Sequence, residues 1–93
     1  MALGEMTVAG EEALKVVDVL NSASFRILQL LSKDTLDVST IAERLKLSEP
    51  YISEQIRQLE EVKLVKVRYG RGKRGIRKIC ELAVKKITIV VTP

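Results

Sequence analysis

The 93-residue chain contains no histidine, no tryptophan and one cysteine. Without histidine it lacks the side chain that most often serves as general base or metal ligand near neutral pH. A single thiol, Cys80, permits no internal disulfide and falls short of a thiolate metal site. Phe25, Tyr51 and Tyr69 are the only aromatics, too few to build a platform on which single-stranded bases stack. No apolar run approaches the roughly 20 residues that span a bilayer, and no basic segment followed by an apolar one marks a secretory signal. The expected address is therefore the cytoplasm, with no membrane partner. The glycine-rich stretch GRGKRG lies between two strand-like segments, not between a strand and a helix, so it is not a phosphate loop. With no carboxylate cluster at metal spacing either, the chain is expected to be no enzyme and to hold no metal or cofactor.

Acid is also scarce, but only in the last third. Residues 1–61 hold six basic and eleven acidic side chains, whereas residues 62–93 hold ten basic and one acidic. An overall charge of +4 thus hides a division into −5 and +9. So one-sided a distribution points the C-terminal third at a polyanion, for which nucleic acid is the usual candidate.

Hydrophobic spacing organises the chain into one small domain over residues 11–93, preceded by a loose arm, MALGEMTVAG, over residues 1–10. A helix is expected from about Glu11 to Leu20, where Ala13, Val16, Val17 and Leu20 share a face and Leu14 and Val19 widen it. That arc is broad enough to serve both the domain core and a partner chain. A second helix is expected over about Ala23–Ser32, capped by Ser22 or Ser24. STIAERLKLSEPYISEQIRQLEE then reads as two helices around a tight turn. Ser39 or Thr40 is expected to cap the first, with Thr40 and Glu43 forming a capping box. Lys46 and Leu47 make the turn, Ser48 caps the second helix, and Pro50 is tolerated in its first turn. VKLVKVRY and IRKICEL read as the strands of a hairpin with a glycine-rich tip. The β-branched run at Ile87–Val91 is a last strand, expected to pair with the hairpin or with another subunit rather than stand as an open edge.

Helices followed by a basic hairpin make an α+β arrangement in the order of a winged helix-turn-helix. The stretch STIAERLKLSEPYISEQIRQLEEVKLVKVRYGRGKRGIRK closely resembles the ArsR-like winged-helix family, especially its archaeal members, in its small alanine, its serine cap, the LEE exit and the RGIRK wing. The resemblance covers about Ser22–Leu82 and implies a dimeric transcriptional regulator that binds double-stranded DNA. It departs at Lys46, where many relatives carry glycine, and in lacking the cysteine pairs or histidines of metal-sensing members. The family's C-terminal helix is replaced by a strand.

The resemblance places the helix at 48–61 in the major groove. Opposite its buried stripe of Ile52, Ile56 and Leu59 lie Pro50, Glu54 and Arg57, flanked by Ser53 on one side and by Tyr51 and Gln58 on the other. With Ser48 and Gln55 these are the candidate readers, since amides and arginine pair with purines and glutamate accepts from cytosine. Ser39 and Thr40 are candidate phosphate contacts at a helix start. In the wing, Lys66, Arg68, Arg71, Lys73, Arg74, Arg77 and Lys78 carry no compensating acid and suit phosphates or a minor groove. The acidity of SEPYISEQIRQLEE argues against the alternative of an architectural chromatin protein that coats duplex broadly. A second alternative is a winged helix used for protein contact. The homodimer is expected to form through the N-terminal helix, with the C-terminal strand as a second candidate segment.

Overall fold

A computed structural model describes residues 3–73 and 75–93. The elements are β1 (Gly4–Val8), α1 (Gly10–Val19), α2 (Ser22–Leu31), β2 (Leu36–Asp37), α3 (Val38–Leu45), α4 (Glu49–Glu61), β3 (Val65–Gly72), β4 (Gly75–Leu82) and β5 (Val84–Ile89). The arrangement is α+β, with β3 and β4 forming the hairpin wing.

Each helix buries most of the stripe its sequence presents, although α1 leaves Val17 of its expected face exposed. Val16 of α1, Ile27, Leu28 and Leu31 of α2, Ile41 and Ala42 of α3, and Ile52, Ile56 and Leu59 of α4 meet in one core. Leu36, Leu64, Val65, Cys80 and Leu82 close it from the sheet side. Ala42 lies in this core, where α3 packs on α4. A residue of that size lets two helix backbones approach closely.

Two helices are capped earlier than expected, by one residue at α2 and by two at α3. Asn21, not Ser22 or Ser24, caps α2: its Oδ1 accepts from the Ser24 N–H at 2.8 Å, and Ser24 Oγ accepts from the Asn21 N–H at 2.8 Å. Asp37, not Ser39 or Thr40, caps α3, and its Oδ1 accepts from the Thr40 N–H at 2.8 Å. The capping box expected of Thr40 and Glu43 is replaced by this contact. Ser48 caps α4 as expected, accepting from the Tyr51 N–H at 3.3 Å. Lys46 takes the left-handed conformation at φ 57°, and the Leu47 N–H donates to the Ala42 carbonyl at 3.0 Å. The turn thus keeps the geometry for which glycine is usually chosen.

The N-terminal segment is not a loose arm over its whole length. Gly4–Val8 pairs in parallel with β5, in a register running from Gly4–Val84 to Val8–Ile89, and the Val90 N–H extends the ladder to the Val8 carbonyl at 2.8 Å. β5 therefore pairs with the N-terminal segment and not with the hairpin. Met6, Val8, Val84 and Ile87 turn toward the core from this two-stranded sheet. The other sheet has the order β2–β4–β3, so the two residues of β2 anchor the wing to the start of α3. Among the described residues no helix is long and apolar enough to cross a membrane.

Candidate nucleic-acid interface

The helix-turn-helix and the wing enclose an open cleft of about 1080 Å³. Its walls are the first turn of α3 (Val38, Ser39), the first turns of α4 (Glu49, Pro50, Ser53) and the wing (Arg71, Gly72, Lys73, Gly75, Ile76, Arg77, Lys78), with Asp37 at its base. Four cations therefore face two helix N-termini, and both features favour an anion.

A salt bridge fixes how the wing meets the helices. Arg77 Nε donates to Asp37 Oδ2 at 2.9 Å, joining the middle of the hairpin to the cap of α3. Thr40, first through its side chain and then through its N–H, holds the Asp37 carboxyl below the usual carboxylate range, and Arg77 adds to the effect against the cost of partial burial. Gly72 is needed beneath this arginine, because a Cβ there would sit 2.3 Å from Arg77 Cγ. Arg77 thus has a structural partner besides any phosphate.

The outer face of α4 is less acidic in effect than in composition. The Arg57 guanidinium is shared between Glu54, whose two oxygens accept from Nε at 2.6 and 3.1 Å, and Glu61, which accepts from its other end. Arg57 and, more weakly, Lys78 hold the Glu54 carboxyl below its ordinary range, and the same pairing raises Arg57. Glu54 and Arg57 reach solvent as one ion pair, not as two independent readers.

The remaining candidates separate by position. Ser39, Pro50, Ser53, Arg71, Lys73, Arg77 and Lys78 are brought together in the cleft. Tyr51 is exposed beside it, while Gln58 is half-buried on the flank of α4. Arg68 and Lys66 are exposed on the opposite side of the hairpin ladder from Arg71. Thr40 is half-buried, and its N–H is already bonded to Asp37. Ser48 uses its hydroxyl oxygen as a cap. Arg74 lies outside the described residues.

Gln55 is a correction. It is 6% exposed, and its Oε1 accepts from Asn21 Nδ2 at 3.0 Å, so it ties α4 to the α1–α2 junction and does not face outward. Its spacing beside Ile52, Ile56 and Leu59 already set it within the inward arc. Ile76 is the opposite case: an aliphatic side chain absent from the candidates that stands in the cleft, 81% exposed. Its place in a run of wing cations was the available signal. Among the described residues no group of three histidine, cysteine or acidic side chains is placed to hold a metal.

A family model described as a helix-turn-helix domain matches residues 19–68, which is more than half of the chain. No curated protein sequence matches significantly. Among solved structures, reduced HlyU from Vibrio cholerae superposes with a TM-score of 0.66 at 23% identity, over 80% of this chain and 75% of that one. The homodimeric winged helix-turn-helix DNA-binding domain of a possible ArsR-family transcriptional regulator from Mycobacterium bovis gives 0.67 at 23% identity, over 78% and 65% of the two chains. A mutant of ZitR from Lactococcus lactis gives 0.57 at 28% identity, over 68% of this chain but only 42% of that protein. These likenesses establish the winged-helix fold.

Proposed function

The chain belongs to the helix-turn-helix domain family, and from that premise we propose that it is a sequence-specific, dimeric regulator of transcription that binds double-stranded DNA. The observation that carries this reading is the cleft, in which cations of the wing converge on the N-terminal turns of α3 and α4. In the proposed complex the outer face of α4 enters the major groove, where Pro50, Tyr51, Ser53, Glu54, Arg57 and Gln58 meet base edges. Arg68, Arg71, Lys73, Arg74, Arg77 and Lys78 meet phosphates or the minor groove, and Ser39 donates from the start of α3. Thr40 and Ser48 contribute through the backbone they organise.

Attraction and discrimination are divided between the two elements. The wing supplies most of the positive field. The Glu54–Arg57–Glu61 cluster leaves α4 without surplus positive charge, so that helix gains affinity only where its contacts match the sequence. Exposed Leu14 and Val17 on α1 support a homodimer through the N-terminal helix, and the Mycobacterium bovis domain of the same fold is itself homodimeric. Within the family, the sequence resemblance supports an ArsR-like member of archaeal type acting in the cytoplasm, with no cofactor and no catalytic activity.

The test is fluorescence anisotropy on duplexes selected from a random pool, titrated with salt. The parent is expected to prefer the selected duplex over random DNA by at least about 10³-fold. Arg71→Ala with Lys73→Ala should weaken binding to both alike and reduce the slope of log K against log salt by about 4, two cations being lost from each of the two wings. Equal affinity for selected and random duplex would instead favour an architectural protein. Absence of salt-dependent duplex binding would favour a protein-contact module.

A further inference from the structure

At the wing tip, Gly72 pairs with Gly75, so the end of the hairpin carries no side chain on that rung. The next rung is Arg71 opposite Ile76. On that rung one cation and one aliphatic side chain stand together, with Lys73 and Lys78 in the same cleft wall. Ile76 is 81% exposed. Single exposed aliphatic residues are ordinary on protein surfaces, but this one lies on the rung nearest the glycine tip, among cations and facing the cleft. A phosphate group alone gives an isoleucine nothing to pack against. A duplex offers phosphate walls for the cations and apolar base faces between them.

Building on the DNA-binding reading above, we propose that Ile76 is an apolar wedge that the wing drives into the minor groove, partly unstacking one base step while Arg71 and Lys73 hold the flanking phosphates. Such insertion is favourable where the step is flexible, as at TA or CA, because less stacking is lost there. The wing then contributes to sequence preference through deformability of the duplex, without hydrogen bonds to bases.

The experiment uses the full chain and the selected duplex carrying 2-aminopurine at successive positions under the wing, with bend angle followed by energy transfer between end labels. The parent should raise 2-aminopurine fluorescence at one step. Ile76→Ala should abolish that rise and relax the bend while leaving the salt slope unchanged, and Ile76→Leu should retain it. Ile76 is exposed, so both variants should keep the parent's circular dichroism. The wedge is overturned if the parent binds with salt dependence yet brightens no position, or if Ile76→Ala brightens the step as the parent does. A parent that binds no duplex at all removes the DNA-binding reading itself, and the wedge with it, a result distinguishable from either of those.

Discussion

Asn21 shows how much one side chain can hold. Its oxygen caps α2 through the Ser24 N–H, and its amide nitrogen donates to the buried oxygen of Gln55 on α4. The same residue therefore starts one helix and orients another, the one proposed to read DNA. Asn21→Ala removes a cap contributing about 1 kcal/mol and leaves a buried acceptor without its donor, at about 1–3 kcal/mol. The expected loss, read from urea unfolding, is about 2–4 kcal/mol in all. Asn21→Asp keeps the capping oxygen but has no N–H for Gln55, and should recover only the first part. Equal stability of the alanine and aspartate variants would show that the cap contributes nothing. Cys80 supports a second prediction at this scale. It is fully buried, and burial pushes its thiol up to about 11. A thiol reagent at pH 8 should label it no faster than the chain opens, and at once in urea. Rapid labelling of the native protein would overturn this reading of Cys80 as a packed core residue.

Between elements, the clip from Arg77 to Asp37 sets the angle of the wing. Asp37 has its carboxyl held below the ordinary range, chiefly by Thr40 and further by Arg77. A depressed carboxyl contributes stability above its unfolded pKa and loses it as pH falls through the lower folded value. The parent should therefore lose this contribution on acidification below roughly pH 4. Asp37→Asn keeps an acceptor for the Thr40 N–H but no charge for Arg77, and should decline less over that window in urea titrations at successive pH values. Parallel curves for parent and variant would remove Asp37 from the acid transition. The same pair explains what the sequence leaves illegible. Helices α1 to α4 and the hairpin were readable because apolar residues recur at 3.6 and 2 along them. The caps were not, because NSAS at 21–24 and DVST at 37–40 each offer several acceptable residues close together. The choice is settled by partners far along the chain: Gln55 for Asn21 and, 40 residues on, Arg77 for Asp37. Strand β1 was missed for a related reason. Five residues with only Met6 and Val8 facing inward carry too short an alternation to recognise, and their pairing is with β5, some 80 residues away. Within the proposed interface, the spacing that set Glu54 and Arg57 on the outer face was legible, but the salt bridge joining them depends on rotamers that spacing does not give.

At the scale of the molecule, exposed apolar side chains fall into two groups. Leu47, Tyr51, Tyr69 and Ile76 belong to the helix-turn-helix and wing, while Leu3, Leu14, Val17, Phe25, Ile89, Val90 and Val91 belong to the first two helices and the two terminal segments. The first group lies on the elements proposed to meet DNA. The second offers a face for the proposed second copy of the chain, which would present two cationic wings to a duplex. Burying an aliphatic side chain of this kind contributes about 1.5–3 kcal/mol when complete, so the few residues on α1 and α2 are enough to make association sensitive to a single charge. Leu14→Glu with Val17→Glu places two carboxylates on that face without touching the core residues Ala13 and Val16. Sedimentation equilibrium should then report the mass of one chain where the parent reports two, with unchanged circular dichroism. Binding to the selected duplex should weaken by more than tenfold, and its salt slope should fall by about half, because each monomer brings one wing instead of two. If the charged variant still sediments as a dimer, the interface lies elsewhere, with the free edges of β1 and β5 next to be tested. If it sediments as a monomer and binds with the parent's full salt slope, each chain carries its DNA contacts alone, and the twofold complex proposed for this regulator is wrong.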